Sequence, residues 1–119
     1  MARIVLIDDD DVFRETLAIS LKELGHTVTT ATNGFDGAQQ IRAQGTDVLI
    51  TDIEMPYGGL PTIRVLRTEF PMLPIIAISG HSVRLDVAAG IGANYVLGKP
   101  FAFADLANAI KTVTAGHVD

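Results

Sequence analysis

The chain has 119 residues, 48% hydrophobic and 19% charged, with a formal charge of −5; this suits one globular domain spanning residues 1–119 rather than a disordered segment. The acidic balance argues against a nucleic-acid or anionic-membrane surface, and the absence of cysteine excludes disulfides, thiolate metal sites and cysteine nucleophiles. The longest stretch without Asp, Glu, Lys or Arg, Phe70 to Val83, carries two prolines and falls short of the roughly 20 apolar residues of a membrane span, so a soluble, cytoplasmic protein is expected.

Five short apolar runs punctuate the chain: "RIVLI", "HTVTTA", "DVLIT", "PIIAIS" and "NYVLG". Four are nearly continuous in apolar character, as parallel strands covered on both faces should be. The second alternates more and reads as an edge strand. Helical patterns fall between them. Phe13, Leu17, Leu21 and Leu24 form an amphipathic stripe. Ala38 and Ile41 predict a second helix, Ile63, Leu66 and Phe70 a third, and Leu106, Ile110 and Val113 the last. Ser82 to Gly90, short and rich in Ala and Gly, makes a weaker fourth. Gly25, Gly45, Gly92 and Gly116 each follow a helical pattern, where a left-handed residue is wanted. Asn33 and Ser82 read as N-caps. The order is β-α five times over, which predicts a doubly wound α/β fold with a parallel five-stranded sheet.

In such sheets ligands bind beyond the carboxyl ends of the strands, where the winding reverses. Asp8 and Asp9 lie just past strand 1, Asp52 past strand 3, Ser79 at the end of strand 4 and Lys99 after strand 5. If strands 1 and 3 are neighbours, as in the flavodoxin-like order 2-1-3-4-5, three carboxylates meet in one crevice. Two unit charges about 4 Å apart interact by roughly 4 kcal/mol at an effective dielectric near 20. A divalent cation would relieve that repulsion, and an all-oxygen site with few protein ligands suits Mg²⁺. Each residue also has a purely structural reading. Aspartates opening a helix serve as caps and dipole partners, the expectation for Asp10 and Asp11, and an Asp after a strand is often a turn former. The joint placement of five such residues on one rim is what turn chemistry does not predict.

Four ordered motifs, "IVLIDDDDVFR", "DVLITDIEMP", "IIAISG" and "GKPF", together resemble the receiver domain of bacterial two-component response regulators. The resemblance covers essentially the whole chain, with spacing like that of the chemotaxis-type regulators that consist of a receiver alone. It implies that Asp52 accepts a phosphoryl group from a histidine of a sensor kinase or phosphotransfer protein. It implies that Asp8, Asp9, Asp52 and the backbone carbonyl of Glu54 hold Mg²⁺, that Lys99 pairs with a phosphoryl oxygen, and that Ser79 donates its hydroxyl to another. The Lys99–Pro100 bond is expected to be cis. The chain would then be a self-modifying switch rather than a turnover enzyme, with output passing to a protein partner through helix 4, strand 5 and helix 5.

Three features depart from the family pattern. The position three before the lysine, commonly aromatic, is Val96, and Tyr95 sits one residue earlier; strand alternation would place Tyr95 on the opposite face unless the strand bulges. The loop after Asp52 reads "MPYGGL", whose Gly58 and Gly59 are expected to loosen the start of helix 3. His81, two past Ser79, is expected to be a solvated loop residue; a sharper reading has His81 and Glu54 flanking the entry of water to the phosphoryl group. Rival functions are a Mg²⁺-dependent aspartyl-phosphate phosphatase, for which 119 residues leave no cap domain, and a scaffold that is never phosphorylated. A flavodoxin-type nucleotide module is disfavoured, because no Gly-rich or hydroxyl-rich phosphate loop follows strand 1.

Overall fold

A computed structural model describes residues 1–56 and 58–115. The five apolar runs form strands β1 (Arg3–Ile7), β2 (Thr27–Ala31), β3 (Val48–Asp52), β4 (Ile75–Ser79) and β5 (Tyr95–Gly98). Helices α1 (Asp11–Glu23), α2 (Gly34–Gln44), α3 (Gly59–Glu69), α4 (Ser82–Ile91) and α5 (Phe103–Thr114) alternate with them. All pairings are parallel, in the order β2-β1-β3-β4-β5. The more polar second run is indeed at an edge. Among the described residues no helix is long and apolar enough to cross a membrane.

Strand alternation divides the core in two. Ile4, Leu6, Val48, Ile50, Ile76, Ile78 and Leu97 point to one face, where they pack against Leu17 and Leu21 of α1 and Leu106 and Ile110 of α5. Val5, Ile7, Leu49, Ile75 and Ala77 point to the other, against Ile41 of α2, Ile63 and Leu66 of α3 and Ala88 of α4. Burying each large aliphatic side chain contributes about 1.5–3 kcal/mol. The central strands are therefore apolar on both faces because both faces are covered.

Helix ends follow local chemistry, with two corrections to the sequence reading. Asp10 is the N-cap of α1, its side chain accepting the Phe13 N–H, and Asn33 caps α2 by accepting the Asp36 N–H at 2.8 Å. Ser82 is not a cap: α4 begins at Ser82, the N-cap position is His81, and no side chain caps it. Leu24 does not join the α1 stripe. The helix ends before it, and it lies 45% exposed, while Arg14 is buried instead. Gly25, Gly45 and Gly92 take the positive φ expected after helices; Gly116 lies outside the described residues.

Candidate functional site

The winding reverses between β1 and β3, so the loops leaving their carboxyl ends open a cleft. Asp8 follows β1 directly and Asp52 is the last residue of β3; they are 1% and 4% exposed. With exposed Asp9 they bring carboxylate oxygens within 4.8 Å of one another. Lys99, just past β5, places Nζ 2.7 Å from Asp52 Oδ2 and 4.0 Å from Asp8 Oδ2. Its ammonium also lies 4.4 Å from the ring centre of Phe13, which meets Phe101 edge-on at 6.3 Å. Four predicted residues, carried by three different strand ends, thus converge.

Backbone groups hold these carboxylates in place. Asp8 Oδ1 accepts the Asp10 N–H and Asp52 Oδ1 accepts the Glu54 N–H, both at 2.9 Å. Buried Arg14 donates from Nη1 to the Asp8 carbonyl at 2.9 Å, while its other nitrogens pair with Asp11 and Glu15. Arg14 went unrecognised in the sequence, where its only signal is an acidic partner three residues earlier on the same helix. Asp10 and Asp11 thus divide their work: one caps α1 and the other anchors Arg14.

Electrostatics follow from this packing. Burial pushes the Asp8 carboxyl up to about 6; the Asp10 N–H and Lys99 oppose this, and the neighbouring Asp52 charge adds to it. Burial also works against the Lys99 charge, but the hydrogen bond and charge of Asp52, with Asp8 and Glu54 beyond, hold its ammonium above the ordinary lysine value. One cation therefore serves two buried carboxylates, and Asp8 is left short of compensation. An added divalent ion would make up the deficit, and a donor set made only of oxygen fits Mg²⁺.

Ser79 stands apart from this group. Fully buried at the end of β4, its hydroxyl donates to Glu54 Oε2 at 2.5 Å and accepts the His81 N–H at 2.9 Å. Glu54 Oε1 accepts the Gly80 N–H at 2.8 Å, and Arg84 Nη1 lies 3.6 Å from Oε2. Burial opposes ionisation of Glu54, yet the hydrogen bonds from Ser79 and Gly80, with His81 and Arg84 nearby, outweigh it and keep its carboxyl below the ordinary glutamate value. The sequence reading assigns Glu54 a backbone role at the metal and a place beside His81 at the water entry; its side-chain bond to Ser79 is a further finding. The signal was available, since Glu54 and Ser79 both sit at the carboxyl ends of β3 and β4, which pair.

The departures also resolve. β5 pairs with β4 without a bulge, Ile76 with Tyr95 and Ala77 with Val96. Val96 therefore packs on the α3–α4 side and Tyr95 on the α1–α5 side. Gly59 does not loosen α3. A Cβ there would stand 2.4 Å from the Asp52 carbonyl oxygen and 2.6 Å from Ile53 Cα, so the helix start is pressed against the end of β3, where only glycine fits. The Lys99–Pro100 peptide is cis. His81 is exposed.

A doubly wound α/β domain with a buried acidic cluster and a lysine at its winding reversal has the donor set to hold a cation in that crevice. Comparison identifies the class. Residues 4–111 match the family model of the response regulator receiver domain, and the chain belongs to that family of bacterial two-component systems. It is 36% identical over 103 residues to the transcriptional regulatory protein AfsQ1 of Streptomyces coelicolor, covering 84% of this chain and 45% of that protein. It is also 36% identical over 107 residues to the response regulator MprA of Mycobacterium ulcerans, covering 87% and 46%. The chain thus spans a little under half the length of these relatives. Among solved structures, a response regulator receiver domain protein from Clostridium thermocellum superposes with a TM-score of 0.92 at 28% identity, covering 98% of this chain and 97% of that one. The response regulator TrrA of Thermotoga maritima, solved in complex with Mg²⁺ and beryllofluoride, gives 0.87 at 31% identity over 95% and 99%.

Proposed function

We propose that the chain is a phosphoacceptor switch: Asp52 takes a phosphoryl group from a histidine of a sensor kinase or phosphotransfer protein, in a Mg²⁺-dependent reaction. The observation that carries this reading is the buried Asp52 carboxylate with the Lys99 ammonium 2.7 Å away and Asp8 and Asp9 beside it. An Asp52 oxygen attacks phosphorus as the P–N bond to the donor histidine breaks; the bonding pair stays on that nitrogen, and the imidazole leaves neutral with the proton already carried by its other ring nitrogen. Asp8, Asp9, Asp52 and the Glu54 backbone carbonyl would hold Mg²⁺, which when bound neutralises the charge gathering on the phosphoryl oxygens. Lys99, steadied by Phe13, neutralises a second oxygen as a compact point charge. The Ser79 hydroxyl is the donor for a third.

On this reading the domain modifies and clears itself and turns over no separate substrate. It works in the cytoplasm, and its state is read by a protein partner on the face of α4, β5 and α5. Support for that face lies in α4, where only Ala88 is buried and Val83 and Val87 stand exposed. TrrA's recorded complex with Mg²⁺ and beryllofluoride adds support for the phosphoryl chemistry.

The test is incubation with Mg²⁺ and acetyl phosphate, followed by mass spectrometry. A labile gain of one phosphoryl group is expected in the wild type and none in Asp52→Asn. An unmodified wild type would instead favour the scaffold.

A further inference from the structure

Ser79 offers one proton and faces two claims on it. A serine hydroxyl donates a single hydrogen bond, and here Glu54 Oε2 takes it at 2.5 Å; the His81 carbonyl, at 3.3 Å, is the poorer acceptor. While Glu54 holds that proton, a phosphoryl oxygen on Asp52 cannot. The same carboxylate binds the Gly80 N–H at 2.8 Å and lies 3.6 Å from Arg84 on the first turn of α4. Glu54 is tied in turn to the acceptor residue, since its own N–H donates to Asp52 Oδ1 at 2.9 Å.

We propose that the Glu54 side chain is a positioning residue that competes with the phosphoryl group for Ser79. In the resting protein it occupies both donors at the end of β4, the Ser79 hydroxyl and the Gly80 N–H, in the manner of an internal anion. Loading of Asp52 draws the hydroxyl away, and the carboxylate is left with Gly80 and Arg84. The segment from Ser79 to Arg84 then rearranges because its shared acceptor has lost a partner. Glu54 thereby sets how readily the switch turns on, and it does so through the Ser79 hydroxyl. This inference rests on the phosphoacceptor reading.

Beryllofluoride titration in Mg²⁺ tests it. A hydrogen bond from a hydroxyl to a charged group contributes enough that its removal should tighten beryllofluoride binding about tenfold in Glu54→Ala. Glu54→Gln should fall between, because its amide can accept from one of the two donors but presents N–H to the other. Loss of a negative charge near the pocket would also favour an anion, so the decisive measurement is the same substitution in a Ser79→Ala background. The gain should vanish there if Glu54 acts through Ser79. In the metal-free protein, hydrogen exchange at the Gly80 amide should quicken in Glu54→Ala. A wild type that binds no beryllofluoride overturns the phosphoacceptor reading and the competition with it. A wild type that binds it, with Glu54→Ala no tighter or gaining equally beside Ser79→Ala, overturns the competition alone.

Discussion

The two ends of the sheet treat charge in opposite ways. At the amino ends, Arg3 and Asp47 meet in the open, 3.8 Å apart with side chains 58% and 45% exposed. Beside them runs a groove lined by apolar residues such as Met1, Phe70, Leu73 and Ile110. At the carboxyl ends, Asp8 and Asp52 are almost fully buried around one ammonium. An exposed pair contributes about 0–1 kcal/mol, whereas burying charges costs several kcal/mol apiece before any return from pairing. The same strands thus carry a harmless pair at one end and an unfavourable cluster at the other. Stability explains the first arrangement and cannot explain the second; chemistry can.

The largest expected effect on stability follows from Asp8. Its carboxyl is raised to about 6 in the folded protein against an ordinary 3.8. Between those values the native state binds more protons than the unfolded one, so in metal-free protein stability falls as pH rises through that window and stays low above it. At ~1.4 kcal/mol per tenfold change in proton affinity, the loss is about 3 kcal/mol at neutral pH. Asp8→Asn keeps an acceptor for the Asp10 N–H and has nothing to ionise. In chelator, urea unfolding should find this variant more stable than wild type by about 3 kcal/mol at neutral pH, with the gap closing near pH 4. A gap independent of pH would mean that the carboxyl ends carry no such penalty, and the contrast between the two ends would collapse.

Lys99→Ala should act in the reverse direction and somewhat less. It removes the cation shared by Asp8 and Asp52, and breaking a buried pair leaves charge uncompensated. Because the lysine side chain is 29% exposed and Asp8 can take up a proton, about 2 kcal/mol of destabilisation is expected at neutral pH, shrinking toward pH 5. Added Mg²⁺ should restore much of it, since a divalent ion supplies what the lysine did. Unfolding curves with and without the metal measure this. A variant insensitive to Mg²⁺ would show that the carboxylates do not gather the ion.

How much of this could be read from the chain depended on the range of the signal. All five strands and the edge position of β2 followed from local apolar pattern, because each central strand is buried on both faces. The convergence of Asp8, Asp52 and Lys99 followed once strand order was assumed, since parallel strands send their carboxyl ends to one rim. Glu54 and Ser79 were legible as rim residues, but their bond depends on where two side chains turn in loops, which no periodicity records. Leu24 was misjudged and Arg14 overlooked: the stripe extended past the end of α1 at Glu23, and a buried arginine looks polar until its carbonyl partner is known. Gly59 was misread for a related reason. A glycine pair suggests freedom, yet a glycine pressed on the Asp52 carbonyl is fixed by contact, and only the path of α3 reveals which applies.

The smallest expected effect lies at the amino ends, and it makes the comparison quantitative. Arg3→Ala removes the guanidinium from Asp47 and from the Gln44 carbonyl, but leaves the Arg3 backbone N–H still donating to Asp47 at 2.7 Å. Both side chains are roughly half exposed, so water and counterions already screen the pair. The expected loss is about 0.5 kcal/mol, smaller again at about 0.5 M salt, and read from urea midpoints at the two ionic strengths. Beryllofluoride affinity should not change, because the substituted residue opens β1 at the end opposite Asp8. If Arg3→Ala weakened beryllofluoride binding as Lys99→Ala should, strain would be passing along β1 from one end to the other, and the sheet would have to be treated as part of the switch rather than as its rigid support.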